Sequence, residues 1–273
     1  MPDDHAPDDH PPLQRRPALR RDGAVALAVV DVLAAEVPVA LVYNGISHAV
    51  MMATPQDLED FALGFSLAEG IVGRASEIRE IERQDHARGI EMRMEIPSAR
   101  FAALKDRRRS LAGRTGCGLC GIESLDQAIR PLAPLGPGPV VAAAAIARAM
   151  AELAAGQQLN RESHAVHAAA FADAEGHVLL LREDVGRHNA VDKVTGALAR
   201  AGLDPATGML AVTSRCSYEI VQKAAQAGIA VIAAVSAPTG FAAALAEDAN
   251  ITLAAFARGS RCTIFAHPER IAA

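Results

Sequence analysis

The second half of the chain alternates apolar runs with helical segments, and this alternation limits the possible folds more than any other feature of the sequence. The apolar runs predict strands at residues 164–172, 178–181, 209–213, 229–235, 251–256 and 263–266, and the other segments predict helices at residues 140–155, 189–201, 218–227 and 240–249. Strands that are apolar throughout have no polar face to offer to water, so they occur in sheets that helices cover on both sides. The second half is therefore predicted to be an α/β domain.

The first half has its elements in a different order and predicts a small α+β domain. Strands are predicted at residues 25–33, 37–43, 46–52, 78–83 and 90–96, and helices at residues 54–69 and 99–109. Thr54 is the expected N-cap of the first helix, because a proline follows it. We predict a disordered tail at residues 1–22, where little can be buried, and an N-terminal domain at residues 23–135. A linker rich in Pro and Gly then leads into a C-terminal domain at residues 136–273.

The charge and the cysteine content exclude several classes of protein. The 273 residues carry a formal net charge of −5, which gives no electrostatic reason to bind nucleic acid. Four cysteines in a chain of this length do not suggest a disulfide scaffold, so a reducing, cytoplasmic location is expected. No uncharged apolar run reaches the ~18 residues that a membrane-spanning helix requires, so no membrane span is expected.

The stretch RTGCGLCG at residues 114–121 places two cysteines, Cys117 and Cys120, among three glycines. Because glycine weakens helices and strands, this density of glycine predicts an exposed, bendable loop. Arg114 and a basic segment at residues 105–109 lie just upstream, and positive potential favours the thiolate, which is the reactive form of cysteine. The sequence therefore predicts two potentially activated sulfurs on one loop.

A Cys-x-x-Cys pair of this kind has several possible uses. It can form half of a zinc site, although the remaining cysteines, Cys216 and Cys262, are isolated. It can be a thioredoxin-type redox pair, although such a pair normally opens a helix near the start of a βαβ unit. It can also be a purely structural pair in a glycine-rich turn, or a sulfur relay in which a thiolate accepts a sulfur atom as a persulfide and passes it on.

Polar and basic residues follow several predicted strands of the second half, at the turns where those strands end. Ser214 and Arg215 follow one strand, Pro238 and Thr239 follow the next, and an Arg-Gly-Ser-Arg segment at residues 258–261 follows a third. Ligands of open α/β sheets bind beyond the carboxyl ends of the strands, where helix N-termini and arginines hold phosphates. Together these turns predict a site for a phosphorylated, nucleotide-like ligand, whereas any single turn could simply cap a helix.

One further turn, EDVGRHN at residues 183–189, carries its own candidate residues. His188 lies next to Arg187 and could act as an acid–base group or could orient the loop. Asp192 and Lys193 follow in the predicted helix and are expected on its exposed face.

Six motifs in order resemble one family, the formate dehydrogenase accessory sulfurtransferases called FdhD/NarQ. They are RTGCGLCG (114–121), HAAA (167–170), EDVGRHNAVDK (183–193), SRCSYEIVQK (214–223), VSAPT (235–239) and NITLAAFAR (250–258). A single Cys-x-x-Cys motif would be weak, but six motifs in the same order over residues 24–268 are specific.

The resemblance implies a sulfur carrier. Members of the family take sulfane sulfur from a cysteine desulfurase and pass it to a molybdenum (or tungsten) bis-guanine-dinucleotide pterin cofactor, which formate dehydrogenase then receives. Cys117 matches the persulfide-carrying cysteine of the family, and Cys120 assists or shares the relay. The cofactor-binding segment of the family falls on Phe256, Ala257, Arg258, Gly259, Ser260 and Arg261. The family also implies a cytidine deaminase-like C-terminal domain, a homodimer, and no metal held directly by protein side chains.

Two other functions remain open from the sequence. The chain could be a chaperone that binds and delivers the cofactor without sulfur chemistry, in which case the cysteines would only shape a loop. It could also be a zinc-dependent hydrolase acting on a nucleotide. The zinc deaminase signature, His-x-Glu with Pro-Cys-x-x-Cys, does not occur in the sequence, so a deaminase-like fold would not imply deamination.

Overall fold

The computed structural model of the chain describes residues 10–112 and 132–272, which have a mixed α/β architecture. The described strands are β1 (Leu13–Asp22), β2 (Val25–Ala34), β3 (Val37–Tyr43), β4 (Ile46–Ala53), β5 (Glu80–His86), β6 (Gly89–Glu95), β7 (Val141–Ala142), β8 (His167–Asp173), β9 (Val178–Asp184), β10 (Gly208–Val212), β11 (Val231–Ala234), β12 (Thr252–Arg258), β13 (Arg261–Ala266) and β14 (Ile271–Ala272). The described helices are α1 (Leu58–Ala68), α2 (Ser98–Ala112), α3 (Ala143–Gly156), α4 (Gln158–Ser163), α5 (Arg187–Ala201), α6 (Tyr218–Ala227) and α7 (Gly240–Asp248). In this part of the chain, no helix is long and apolar enough to cross a membrane.

The C-terminal sheet has six strands in the order β13-β12-β11-β10-β8-β9. Its central strands β10, β11 and β12 run parallel, and the outer strands are antiparallel to their neighbours. Successive residues of β10 enter different cores: Leu210 packs in the core with α5, α6 and α7, whereas Met209 packs in the core with α3. The prediction of a sheet covered on both faces is confirmed, because alternate side chains of the apolar strands enter two separate cores.

The N-terminal sheet has four strands in the order β4-β3-β6-β5, and β3 and β6 are its one parallel pair. Its inner face packs on α1, where Leu41, Met92 and Phe61 share one core and are fully buried. The alternating pattern of β6 is confirmed, since Ile90, Met92 and Met94 are buried while Arg93 and Glu95 are exposed. The opposite face of this sheet carries the polar side chains of β5 and β6.

The two sheets are joined through helices α1 and α5, which cross at a pair of glycines. A Cβ atom on Gly64 would overlap the backbone carbonyl of Asp192, and a Cβ atom on Gly196 would overlap that of Asp60. Only glycine lets two helix backbones approach this closely. Charged hydrogen bonds also stabilise this contact: the carboxylate of Asp60 accepts from Arg182 at 2.9 Å and from Arg200 at 2.9 Å.

The structure corrects the predicted start of α1. The helix begins at Leu58, after Asp57 in a left-handed conformation with φ 54°. Thr54 is fully buried instead: its N–H donates to Asp184 Oδ2 at 3.0 Å, and its hydroxyl accepts from the N–H of Val185 at 3.1 Å. The predicted N-cap role of Thr54 is therefore wrong, because both polar groups of this residue bind the C-terminal domain.

The structure also corrects the predicted tail. Residues Leu13–Asp22 form β1 and pair with β2 over their whole length, so the prediction of disorder is wrong for these residues. Residues 1–9 lie outside the described part. The predicted domain boundary after residue 135 stays a prediction, although Leu132 and Leu135 already pack against the C-terminal core.

Candidate functional site

A cavity of about 840 Å³ opens beside the β12–β13 hairpin, near the carboxyl ends of β11 and β12. The residues around it come from the start of α3, from the turn after β11 and from the hairpin itself: Ala143, Ser236, Phe256, Arg258, Ser260, Arg261, Cys262 and Thr263. We call it the hairpin cavity. It lies at the edge of the sheet where the sequence predicted a ligand site, since ligands of open α/β sheets bind beyond the strand ends.

The hairpin is irregular at its most aromatic point. The pairing of β12 with β13 shifts register between Ala255 and Arg258, and Phe256 adopts φ 53°, a left-handed conformation that is uncommon for a residue with a side chain. Phe256 is 48% exposed, and its ring centroid lies 6.1 Å from that of Phe265, which is 41% exposed. Backbone strain of this kind persists at functional sites. The register shift therefore leaves an exposed aromatic pair beside the cavity.

The charge of the hairpin cavity comes from Arg258 and Arg261, which are both exposed. Arg258 uses one nitrogen, Nε, to donate to the carbonyl of Val235 at 3.4 Å. A guanidinium has five N–H donors in a planar fork that matches phosphate oxygens. Together with the hydroxyl of Ser260, these side chains can bind a phosphorylated ligand, and the aromatic pair can contact a flat ring.

Six of the residues predicted to bind the ligand do not line the hairpin cavity: Ala257 and Gly259 of the hairpin itself, and four residues of two other turns. The hydroxyl of Thr239 caps α7 by accepting from the N–H of Ala242 at 3.1 Å, and the hydroxyl of Ser214 donates to the carbonyl of Arg215 at 2.9 Å. Arg215 is exposed, and Pro238 forms an isolated bridge with Cys216. The two turns are thus held next to each other, but the contacts that they show are local ones.

The cysteines divide into three cases. Cys117 and Cys120 lie outside the described residues. Cys216 is fully buried, and this burial raises the pKa of its thiol to about 12, which makes it a poor nucleophile. Cys262 is partly exposed and borders the hairpin cavity.

The EDVGRHNAVDK motif forms a buried polar network rather than an exposed helix face. Lys193 Nζ lies 2.7 Å from Asp184 Oδ2, and neither side chain is exposed to solvent. Lys193 also donates to the carbonyl of Thr54 at 3.0 Å, while Asp184 Oδ1 accepts from Gly186 N–H at 2.7 Å and from Asn189 Nδ2 at 2.9 Å. A buried charge needs such partners, and these tie the second domain to the first.

Asp192 and Lys193 therefore do not lie on the exposed face of their helix, and that prediction is wrong. Asp192 is 1% exposed and is paired with Lys223, whose Nζ lies 2.7 Å from its Oδ1. Burial raises the pKa of the Asp192 carboxyl, and the charge and hydrogen bond of Lys223 offset this rise only in part.

His188 lies at the first turn of α5, where its Nε2 is 2.7 Å from Glu219 Oε2 and 3.4 Å from Ser217 Oγ. The hydrogen bond from His188 lowers the pKa of Glu219, since it stabilises the charged carboxylate. His167 lies nearby, and burial together with the charges of Arg187 and His188 lowers its pKa. These contacts are compatible with both readings of His188, as an acid–base group and as a residue that orients the turn.

Four residues of the hairpin cavity were missed from the sequence, namely Ala143, Ser236, Cys262 and Thr263. Cys262 and Thr263 directly follow the predicted segment, and their position in a hairpin next to Arg261 could have indicated them. Ala143 comes from the start of α3, and no signal in the sequence points to it.

Comparisons with known proteins agree with these motifs. The family model described as FdhD/NarQ matches residues 34–272. A sulfur carrier protein FdhD from Cupriavidus necator is 58% identical over 241 residues, which cover 88% of this chain and 84% of that protein. A sulfur carrier protein FdhD from Variovorax paradoxus is 56% identical over 241 residues, which cover 88% of this chain and 87% of that protein.

A solved structure shows the same fold. It is a crystal structure from Desulfotalea psychrophila, assigned as a formate dehydrogenase accessory protein, which superposes with a TM-score of 0.76 at 27% sequence identity. The match covers 96% of this chain and 100% of that one. Six motifs in order, a family model over most of the chain and relatives of this similarity lead to one conclusion: the chain belongs to the FdhD/NarQ family.

Proposed function

We propose that this chain is a sulfur carrier that accepts sulfane sulfur on Cys117 as a persulfide and transfers it to a molybdenum bis-guanine-dinucleotide cofactor destined for formate dehydrogenase. The observation that carries the proposal is the hairpin cavity. It lies on the family segment from Phe256 to Arg261, and it combines two exposed guanidinium groups with an exposed aromatic pair. The names of the relatives, sulfur carrier protein FdhD, support the sulfur chemistry.

The hairpin cavity suits the nucleotide end of that acceptor. A guanine dinucleotide carries phosphates and a flat purine, which call for fixed cations and for an aromatic surface. Arg258, Arg261 and Ser260 supply the donors for phosphate, and Phe256 supplies an exposed ring. Because both guanidinium groups are exposed, they can exchange water for phosphate without breaking a buried ion pair.

The proposed chemistry has two steps. In the first step, the thiolate of Cys117 attacks the terminal sulfur of a persulfide on the donor, a new S–S bond forms at Cys117, and the donor leaves as a thiolate. In the second step, the terminal sulfur passes to the metal centre of the cofactor and becomes a sulfido ligand. For this step the S–S bond at Cys117 would break, the metal centre would supply the electron pair and be oxidised by two electrons, and Cys117 would return to a thiolate. Cys120, three positions further along the chain, assists or shares the relay.

The proposed donor is a cysteine desulfurase, and the proposed working form is a homodimer. The thiol Cys216 has no role in the relay, because its burial and its raised pKa keep it protonated. The proposed recipient of the sulfurated cofactor is formate dehydrogenase. This proposal agrees with the assignment of the Desulfotalea psychrophila structure as an accessory protein of that enzyme.

Intact-mass spectrometry after incubation with a cysteine desulfurase and cysteine tests the proposal. The native chain should gain the mass of one sulfur atom, and Cys117→Ala should lose this adduct. Cys120→Ala measures the share of the second cysteine, and Cys262→Ala is the matched control because that thiol is partly exposed but lies outside the loop. An adduct that persists in Cys117→Ala would contradict the role of Cys117.

The same measurement separates the proposal from the alternative of a cofactor-delivery chaperone without sulfur chemistry. The chaperone would also use the hairpin cavity, so binding of a guanine nucleotide does not distinguish the two functions. A native chain that gains no sulfur from a donor of confirmed activity would favour the chaperone.

A further inference from the structure

Strands β1 and β2 form a ribbon that belongs to neither of the two main sheets. Ten residue pairs join them, from Leu13 opposite Ala34 to Asp22 opposite Val25, so the ribbon is ~33 Å long. Five of its large apolar side chains are exposed: Leu19 by 59%, Val25 by 68%, Leu27 by 61%, Val30 by 64% and Leu33 by 49%. Within the described residues, the main contact of the ribbon with another element is that of β2 with α4.

Strand β2 is more apolar than its exposure to solvent would suggest. Nine of its ten residues are apolar, and a strand without a polar face is typical of sheets that are covered on both sides. A two-stranded ribbon is marginally stable in water unless it packs against something else. The ribbon therefore needs a covering surface that the described part of this chain does not provide.

The two faces of the ribbon differ in charge. One face, which we call the arginine face, consists of the odd-numbered residues of β1 and the even-numbered residues of β2. It carries Arg15 and Arg21 near its two ends, Leu19 and Val30 near its centre, and no carboxylate. The opposite face is balanced, because Asp22 and Asp31 offset its two arginines, and Arg20 lies 3.6 Å from Asp31.

A complementary surface lies on the outer face of the N-terminal sheet, the face turned away from α1. Its β4 side is apolar and exposed, with Val50 at 60% and Met52 at 47%. Its other side carries a concavity of about 490 Å³ whose charged lining residues are four glutamates and one arginine, Glu80, Glu82, Glu91, Glu95 and Arg93. The outer face thus combines apolar area with net negative charge, whereas the arginine face combines apolar area with net positive charge.

We propose that the arginine face of each ribbon docks on the outer face of the N-terminal sheet of a second copy of this chain. This inference rests on the homodimer of the proposed function and identifies the surface that forms it. A two-fold symmetric dimer buries both pairs of surfaces at once, since each copy offers a ribbon and receives one. The ribbon leaves its own sheet exposed, so the same surface is open to the ribbon of the other copy.

The available area agrees with this arrangement. A ribbon ~33 Å long and ~10 Å wide presents ~330 Å² on one face, given a strand spacing of ~4.8 Å. In a reciprocal exchange each copy buries its ribbon face and an equal part of its sheet, which makes ~660 Å² for each subunit. A standard protein interface buries ~800 Å² on each partner, so two exchanged ribbons approach what a stable dimer requires.

Sedimentation velocity on the full chain tests the inference. The chain concentration is varied from about 1 to about 100 µM, which covers the dissociation constants expected of a moderately stable dimer. Val30→Glu places a charge at the centre of the arginine face and should weaken the dimer at least ~100-fold, because a buried unpaired charge is costly. Leu27→Glu is the matched control, since Leu27 is as exposed as Val30 but lies on the opposite face, and it should change the dissociation constant less than ~3-fold. Circular dichroism and thermal unfolding confirm that each variant is folded.

A charge exchange provides the second test. Arg15→Glu with Arg21→Glu gives the ribbon a negative charge, so it should repel the native outer face of the sheet. Glu80→Lys with Glu82→Lys gives that outer face positive charge, so it should repel the native ribbon. Each double variant should be a monomer alone, whereas an equal mixture should form a one-to-one heterodimer, because every contact in it is then attractive. The recovery of a dimer in the mixture cannot come from loss of stability, so this test remains valid even if Val30→Glu destabilises the chain.

Three outcomes would overturn the inference. A dimer that Val30→Glu leaves unchanged, or double variants that each remain homodimers alone, would place the dimer interface elsewhere and leave the proposed homodimer intact. A native chain that is still a monomer at about 100 µM, the highest concentration of the experiment, overturns both the docking surface and the homodimer. Sulfur loading of Cys117 is measured independently of all three.

Discussion

Two turns of the C-terminal domain carry similar polar and charged residues, but the structure gives them different surroundings. In the motif of residues 183–193, which runs from the end of β9 into α5, Asp184 and Lys193 are fully buried, lie 2.7 Å apart and bind the backbone of the N-terminal domain. In the hairpin after β12, Arg258 and Arg261 are exposed and border a cavity of about 840 Å³. A charged motif can therefore hold two domains together or bind a ligand, and burial and partners distinguish the two roles.

The largest expected effect is on the buried pair. Lys193→Met should lower the free energy of unfolding by ~3–5 kcal/mol, because it removes one member of a buried ion pair and leaves Asp184 without its countercharge. Arg258→Ala is the comparison in the exposed hairpin and should change the free energy of unfolding by less than ~0.5 kcal/mol. Urea denaturation at pH 7 measures both values, and equal losses would remove the contrast between the two turns.

The second prediction concerns the glycine crossing that supports the buried motif. Gly64→Ala should lower the free energy of unfolding by ~1–3 kcal/mol or more, because its Cβ would overlap the carbonyl of Asp192 and push α1 away from α5. Gly240→Ala is the matched control, since a Cβ at that position meets no atom within 4 Å. Thermal unfolding measures both variants. A Gly64→Ala chain as stable as the native one would show that the two helices can separate at little cost.

The third prediction contrasts the cysteine of the hairpin with a buried cysteine in the turn after β10. Burial raises the pKa of Cys216 to about 12, so its thiolate fraction at pH 8 is on the order of one in ten thousand and rises as the pH increases. Iodoacetamide at pH 8 should label Cys262, which borders the hairpin cavity, and should leave Cys216 unlabelled until the chain is unfolded in guanidinium. Peptide mass spectrometry locates the label, and equal labelling rates in the folded chain would contradict the burial of Cys216.

Much of the fold follows from local sequence patterns. The apolar runs of the second half predicted the strands of the six-stranded sheet, because a strand without a polar face has to be buried on both sides. The alternation in β6 predicted which of its side chains enter the N-terminal core, since a period of two is specific to a half-buried strand.

Two of the three errors share one physical origin, which is contact between residues far apart in the chain. Thr54 followed by proline has the pattern of a helix start, but its partner, Asp184, lies 130 positions away. Lys193 has the composition of an exposed helix position, but the same distant network buries it. Residues 13–22 are too polar to suggest order, and only their pairing with β2 forms the ribbon.

The candidate site was partly predictable for the same reason. The segment from Phe256 to Arg261 could be found because it is continuous in the sequence and follows a strand. Ala143 and Ser236 could not be assigned to the same cavity, because only the folded sheet brings the start of α3 and the turn after β11 to the hairpin.

The central claim is that the hairpin cavity, and not the motif of residues 183–193, receives the nucleotide end of the acceptor. Isothermal titration with guanosine diphosphate tests it most directly, with the native chain, the double variant Arg258→Ala with Arg261→Ala, and Arg79→Ala as a control for an exposed arginine elsewhere. Loss of two charged hydrogen-bond donors should weaken binding at least ~100-fold, since each is worth ~1.5–3 kcal/mol, and the control should bind like the native chain. Unchanged binding by the double variant, or equal weakening by Arg79→Ala, would contradict the assignment of the cavity.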